Sequence, residues 1–203
     1  FQLCYLMSEK NIMNTSIATT VQLRCEIADE ASFAPYGMLV RRPDNVAANL
    51  ASGAVESWLL PFTSGSEPQI MFNRYHDKGR EFSVMEKHLK VSQCFFPLGG
   101  VPYIMVVGKG SVEQQTVGPE DVRAFYVDGD CGVLLWQHVW HSLARFPVGA
   151  PYIDLAFITD LETQNEIERH LAGGVRPTQT EFIDFMQTHQ TRFLVQDPQG
   201  PRS

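Results

Sequence analysis

Short apolar runs separated by turn residues fill the middle of this sequence and constrain its fold more than any other feature. The runs span residues 22–27, 38–41, 57–61, 69–73, 81–87, 93–98, 102–107, 123–127, 132–136 and 153–159. Turn signals such as Asp77-Lys78-Gly79 and Gly99-Gly100 separate them. No helical pattern of the length that a βαβ unit needs lies between the runs. The sequence therefore predicts an all-β jelly-roll or small barrel.

The 203 residues divide into three parts. We expect residues 1–20 to be a disordered leader, residues 21–170 to form the barrel domain, and residues 171–203 to hold a hinge, a C-terminal helix and a tail. The helix is predicted over residues 177–196, because Pro177 suits a first helical turn and a stripe of side chains recurs at helical spacing. The stripe consists of Phe182, Phe185, Met186, His189 and Phe193. We expect it to pack against the barrel, the alternative being a partner chain.

Charge and cysteine usage exclude several classes of function. The net charge is −7, and no basic cluster is longer than the pair Arg41-Arg42, so we expect no nucleic-acid partner, while a small anionic substrate stays open. No apolar run is long enough to span a bilayer, and the start of the chain does not have the layout of a signal peptide. The four cysteines are far apart and form no CxxC pair, which favours free buried thiols in a reducing cytoplasm.

Two neighbouring strands carry a candidate site with the pattern Glu86-x-His88, four residues, Gln93, six residues, Gly100. Alternation places Glu86 and His88 on one strand face, and Gln93 can return to that face from the next strand. His141 is expected to join them from a later hairpin. A carboxylate, an amide and two imidazoles in the mouth of an apolar barrel would form a polar pocket of the kind that binds small molecules.

Two kinds of chemistry fit this group of side chains. Glu86, His88 and His141 could hold a divalent metal such as Ni, Mn or Zn as a two-His, one-carboxylate face, with Gln93 as a weak fourth ligand. Alternatively, the site contains no metal, and Glu86 and His141 exchange protons with the substrate. Both alternatives remain open from the residues alone.

A second, weaker candidate is the pair Asn73-Arg74, which ends the strand before the motif strand. Arg74 could bind a substrate carboxylate through a bidentate fork, and the alternative is an arginine in a solvated turn. The remaining histidines (His76, His138, His170 and His189) show no motif spacing, and we expect structural roles for them.

The motif spacing is similar to that of the cupin superfamily, with Glu86 in the place of a ligand His and Gln93 in the place of the ligand Glu. Within that superfamily, residues 29–167 resemble the ureidoglycolate lyase family, also called ureidoglycolate hydrolase. The resemblance is carried by Phe33-Ala34-Pro35-Tyr36-Gly37, Phe72-Asn73-Arg74, Met85-Glu86-Lys87-His88, the hairpin 93–100, Arg123-Ala124-Phe125, residues 129–133, Val139-Trp140-His141 and residues 152–155. The chain departs from the family at Ser142, where a second His is common, so we expect one pocket donor to be missing.

The resemblance implies a cupin-type double-stranded β-helix and a carbon–nitrogen lyase that releases urea and glyoxylate from ureidoglycolate in allantoin and purine breakdown. It implies that His141 or Glu86 is the base, that His88 and Gln93 orient the substrate, and that Arg74, beside Asn73, binds its carboxylate. We expect a homodimer, since cupin sheet edges are commonly paired. The alternatives are a divergent cupin lyase acting on another small α-hydroxy-acid amide or carboxylate, and a cupin that binds a small molecule without catalysis.

Overall fold

The computed structural model describes residues 18–110 and 116–198 of the chain. Seventeen strands are present in these ranges: β1 Thr19–Leu23, β2 Cys25–Ile27, β3 Gly37–Val40, β4 Leu50–Ser52, β5 Val55–Ser57, β6 Pro68–His76, β7 Glu81–Phe82, β8 Val84–His88, β9 Gln93–Leu98, β10 Tyr103–Gly108, β11 Val122–Val127, β12 Gly132–Leu135, β13 Trp140–Ser142, β14 Phe146–Pro147, β15 Tyr152–Asp160, β16 Thr180–Asp184 and β17 Thr191–Val195. The helices are α1 Glu30–Phe33, α2 Leu161–Leu171 and α3 Phe185–His189, with a 3₁₀ turn at Pro119–Asp121.

Two large sheets face each other and form the predicted jelly-roll. One sheet has the order β16-β8-β13-β10-β11-β2, with β14 also paired to β10, and the other has the order β3-β12-β9-β15-β6. An inner core fills the space between them, and both sheets contribute to it, for example through Met105 and Phe125 from the first and Phe95 and Val133 from the second. The structure therefore confirms the all-β, cupin-type fold class.

A second, outer core lies on the other face of the first sheet. It joins Met85, Val106 and Trp140 of that sheet to Phe185 and Phe193 near the C-terminus. A three-stranded sheet of order β1-β17-β7 closes this side. The C-terminal segment thus packs against its own barrel, as expected from its apolar stripe.

The predicted helix over residues 177–196 is wrong in extent, because only α3 is helical within that range. Residues 180–184 instead form β16, which pairs along its full length with β8 and so satisfies the backbone groups at the edge of that strand. Asp184 then caps α3 by accepting a hydrogen bond from the Met186 backbone N–H. Gln190, at φ 53°, ends the helix before the β-branched start of β17 at Thr191.

Helix α2 lies where the sequence predicted the end of the strand region and the start of a hinge. Asp160 caps it by accepting from the Thr163 backbone N–H, and Gly173, at φ 84°, follows its last turn. The helix is mostly polar, so the spacing of its apolar residues does not predict it clearly. Asp160 and Gly173 are the sequence features that indicate where it begins and ends.

The ends of the chain bear on two other predictions. Residues 1–17 of the expected leader lie outside the described residues, whereas Thr19 and Thr20 already belong to β1, so the predicted boundary at residue 20 is wrong. Three cysteines, Cys25, Cys94 and Cys131, are buried free thiols, and Cys4 lies outside the described residues. Among the described helices, none combines the length and the apolarity that a bilayer crossing requires.

Candidate functional site

Glu86, His88 and His141 meet on the inner face of the first large sheet and are called the Glu86 cluster below. Glu86 and His88 alternate along β8, and β13 pairs with β8 in the register His141↔Glu86. Glu86 Oε1 lies 3.4 Å from His141 Nε2 and 3.8 Å from His88 Nε2. Both imidazoles are buried, and the two ring centroids are 5.1 Å apart. The structure therefore brings together the three residues that the motif spacing predicted.

The hydrogen bond at the far side of the His141 ring defines its protonation pattern. His141 Nδ1 lies 3.2 Å from the backbone carbonyl oxygen of Val139. A carbonyl only accepts, so Nδ1 carries the proton. In the neutral ring, Nε2 therefore presents a lone pair toward Glu86 Oε1, which is also an acceptor. Two acceptors facing each other call for a proton or a cation between them.

His88 is held in place from the C-terminal part of the chain. Its Nδ1 lies 3.0 Å from the hydroxyl of Thr180, which β16 places opposite His88 in the strand register. Burial lowers the pKa of His88 to about 4, and the nearby Glu86 carboxylate opposes this only in part. His88 is therefore a neutral ring at physiological pH, with Nε2 directed toward Glu86.

Glu86 is ionised in this setting. Burial alone would raise the pKa of its carboxyl group, but interaction with the protonated form of His141 and the positive charges of His88 and Arg145 outweigh burial and lower that pKa to about 2. The cluster thus presents one carboxylate, 15% exposed, and two buried imidazole nitrogens.

The same three residues fit a divalent cation. Their candidate ligand atoms all lie within 4.8 Å of one another. Nε2 of His88 and Nε2 of His141 are both buried, and neither has a hydrogen-bond partner among the described residues. Two imidazole nitrogens and one carboxylate are a donor set suited to Zn, Mn or Ni.

Gln93 and Asn73 also face the interior, although neither hydrogen-bonds to the Glu86 cluster in the described part of the chain. Gln93 is buried beside Leu135 in the strand register, and no described residue forms a hydrogen bond with its Oε1. The Asn73 side-chain amide donates to the hydroxyl of Tyr75, 3.4 Å away, on the same strand face. Both residues are positioned to line the barrel interior.

Arg74 does not lie at the site, which corrects the expectation that it binds the substrate carboxylate. It alternates to the outer face of β6, where its Nε and Nη2 donate to the two carboxylate oxygens of Asp154 at 2.7 and 2.8 Å. Its guanidinium also packs over the Tyr152 ring at 4.0 Å. The Arg74 guanidinium that was expected to bind a substrate is therefore already bound to Asp154 on the neighbouring strand β15.

Two other positions differ from the sequence expectation. Ser142 pairs with Met85 in the strand register, so it faces the outer core, and the absence of a second His there removes no donor from the Glu86 cluster. Arg145, which the sequence analysis did not single out, is buried next to the cluster, where its charge acts on Glu86 and His88. A lone arginine after a short strand has no motif spacing, and its position after His141 was the only signal available.

The comparisons with known proteins all name one family. The sequence model of the family described as "Ureidoglycolate lyase" matches residues 20–176. A ureidoglycolate lyase of Brucella ovis is 28% identical over 128 residues, which cover 59% of this chain and 72% of the relative. A ureidoglycolate lyase of Rhizobium etli is 26% identical over 118 residues, covering 55% of this chain and 69% of the relative. A ureidoglycolate lyase of Agrobacterium fabrum is 27% identical over 117 residues, covering 54% and 68%.

Proposed function

The chain belongs to the ureidoglycolate lyase family, and we propose that it cleaves ureidoglycolate into urea and glyoxylate, as a step of allantoin breakdown in the cytoplasm. The substrate class is a small anion whose central carbon carries a hydroxyl, a carboxylate and a urea nitrogen. Its cleavage needs a base for the hydroxyl proton, an acid for the leaving nitrogen and a group that holds the carboxylate. The observation that carries the proposal is the contact between His141 Nε2 and Glu86 Oε1 at 3.4 Å.

In the proposed reaction, His141 acts first as base and then as acid. Its Nε2 takes the hydroxyl proton while the C–O bond becomes a carbonyl and the C–N bond breaks. The electron pair of that bond goes to the urea nitrogen, which takes the same proton back from His141, so glyoxylate and urea leave and His141 ends neutral. Glu86 stabilises the transient imidazolium, and the backbone carbonyl of Val139 holds the ring in the required tautomer.

The residues that would hold a divalent cation are Glu86, His88 and His141, and the chemistry supplied when a cation is bound is a lowered pKa of the substrate hydroxyl. This role uses the same lone pair of His141 Nε2 as the base role. The two roles are therefore exclusive at that atom, and treatment of the active protein with a chelator separates them. Activity that survives chelation supports His141 as base.

The test is an assay of urea and glyoxylate release from racemic ureidoglycolate, run beside a panel of amides of other α-hydroxy acids. We expect Glu86→Gln and His141→Ala each to reduce turnover about 100-fold or more. His76→Gln is the matched control, because His76 is exposed on β6. Wild-type activity in both cluster variants would contradict the proposal, and release from another amide alone would move the substrate to that amide.

A further inference from the structure

Arg145 is a buried cation that forms no ion pair with any carboxylate in the described part of the chain. It follows β13 and precedes β14 in the sequence, and the residue is only 3% exposed. In the described ranges 18–110 and 116–198, no carboxylate lies within ion-pair distance of it. Buried charges are normally paired, because an unpaired charge in a low-dielectric interior is strongly unfavourable. The site of Arg145 is therefore incomplete without an anion.

Local contacts hold the Arg145 guanidinium in one orientation. Its Nη1 donates to the backbone carbonyl oxygens of Ser142 and Ala144. The guanidinium carbon lies 4.4 Å from the centroid of the Phe95 ring and 5.9 Å from that of Tyr75. Its Nε is buried and has no hydrogen-bond partner within residues 18–110 and 116–198. Arg74 shows how such a group binds a carboxylate, because its Nε and Nη2 donate to the two carboxylate oxygens of Asp154. The corresponding Nε edge of the Arg145 guanidinium is therefore suited to a carboxylate.

Side chains near Arg145 also have buried polar atoms that form no hydrogen bond within the described residues. Buried polar atoms without a hydrogen bond include Nε2 of His88, Oε1 of Gln93, the hydroxyl of Tyr103 and Nε2 of His141. The charge of Arg145 acts on Glu86, His88 and Tyr103, so these groups share one region of the interior. Several unsatisfied donors and acceptors in one apolar interior indicate a polar ligand that completes them.

We propose that Arg145 binds the carboxylate of the substrate and so orients its hydroxyl toward the Glu86 cluster. Charge supports this assignment, since an anion that approaches the Glu86 carboxylate needs a cation on its other side. The identity of the substrate rests on the proposed function, whereas the anion site rests on Arg145 itself. The ligand class is a small α-hydroxy carboxylate.

The experiment compares two probes of equal size, glycolate and the neutral glycolamide, by calorimetric titration. We expect the wild-type protein to bind glycolate more tightly than glycolamide, and Arg145→Met to weaken glycolate binding about 10- to 100-fold with little effect on glycolamide. Arg74→Met is the matched control, because Arg74 lies on the outer face, and it should bind glycolate as the wild type does. A folded Arg145→Met protein with unchanged glycolate affinity would overturn the proposal.

A second measurement uses the wild-type protein, in case Arg145→Met does not fold. Nuclear magnetic resonance of the arginine Nε–H groups, with the Arg145 signal assigned from its absence in Arg145→Lys, should show that signal moving on addition of glycolate. An Nε–H signal that stays in place at saturating glycolate would also overturn the proposal.

If the wild type releases no urea but binds glycolate through Arg145, the proposed reaction fails and the anion site stands. If it releases urea and Arg145→Met keeps the wild-type KM, the anion site alone fails.

Discussion

At His141, one backbone carbonyl determines which ring nitrogen is free for chemistry. The Val139 carbonyl oxygen can only accept, so Nδ1 keeps its proton and Nε2 is left to face Glu86. His88 differs, because its Nδ1 meets a hydroxyl that can either donate or accept. The two imidazoles of the Glu86 cluster are therefore not equivalent. His141 is suited to take and return a proton, and His88 is suited to remain neutral.

The neutral state of His88 predicts a pH dependence of stability. The pKa of His88 is about 4 in the folded protein, below its ordinary value of 6.5, so the unfolded chain binds a proton first as pH falls. The free energy of unfolding should therefore decrease between about pH 6.5 and pH 4. Denaturant titrations of the chelator-treated protein at pH 7 and pH 4.5 should show a loss about 2 to 3 kcal/mol larger for the wild type than for His88→Gln.

Glu86 titrates outside that window. Its pKa is lowered from 4.5 to about 2, so its contribution to stability is present above about pH 4.5 and is lost only as pH falls further toward 2. His76→Gln serves as the control and should keep the wild-type loss between pH 7 and pH 4.5. Equal losses in the wild type and in His88→Gln would show that His88 is not held neutral by burial.

The two arginines illustrate what can be predicted at this scale. The sequence places Asn73 and Arg74 side by side, but which of the two faces inward depends on how β6 pairs with β15, and local sequence does not contain that information. For Arg145 the opposite holds, since nothing in the sequence spacing identifies it as a site residue. Its burial follows from the packing of Phe95 and Tyr75 around it, which only the folded chain brings together.

Among the elements, β16 connects the C-terminal segment to the site. It lies beyond residues 20–176, which match the family, yet it extends the sheet that carries the Glu86 cluster. Thr180 on this strand reaches His88, and Phe182 pairs with Glu86 in the register. A segment outside the family match thus contributes to how this site is held.

The Thr180 contact predicts a positioning effect. Thr180→Val removes the hydroxyl that holds the His88 ring, so we expect kcat for ureidoglycolate to fall about 10-fold, as is typical when a hydrogen-bond partner of a site histidine is lost. Thr180→Ser keeps the hydroxyl and should retain most of the activity. Thr188→Val, on the exposed side of α3, is the matched control. A Thr180→Val protein with wild-type kcat would contradict this role.

The C-terminal segment also shows why one element was mispredicted. Within residues 180–184, the alternation of Thr180, Phe182 and Asp184 fits a strand. The wider stripe that includes Phe185 and Phe193 fits a helix, so the sequence carries both the two-residue period of a strand and the helical period. The open edge of β8 decides in favour of the strand, and that edge is a property of the assembled sheet. In contrast, β9 occupies the predicted residues 93–98, because turn residues bound it on both sides.

For the whole molecule, the outer face of the second sheet supports the expected homodimer. Ile70 is 70% exposed and Phe72 is 62% exposed on the edge strand β6, and Leu98 of β9 lies on the same face. Exposed apolar groups on an edge strand are commonly covered by a second copy. We therefore propose that two chains associate through this face.

The test is light scattering of the wild type and of a double variant, Ile70→Glu with Phe72→Glu. The wild type should have about twice the 22.9 kDa mass of one chain, and the double variant should have the mass of a single chain. Leu59→Glu is the control, because Leu59 is 78% exposed in a loop. A monomeric wild type would contradict the dimer, and a dimer that persists in the double variant would contradict this interface.

The parallel pairing of β1 with β17 determines when the molecule can be completed during synthesis. The Arg192 side chain donates to the Thr20 hydroxyl across 172 positions of sequence, so β1, the first strand of the described ranges, pairs with β17, the last of them. A ribosome-bound chain that lacks residues 191–195 has neither the partner of β1 nor Phe193 of the outer core. The inner core can assemble earlier, but the outer layer closes only once residues 191–195 are available, which makes this contact a late event in folding.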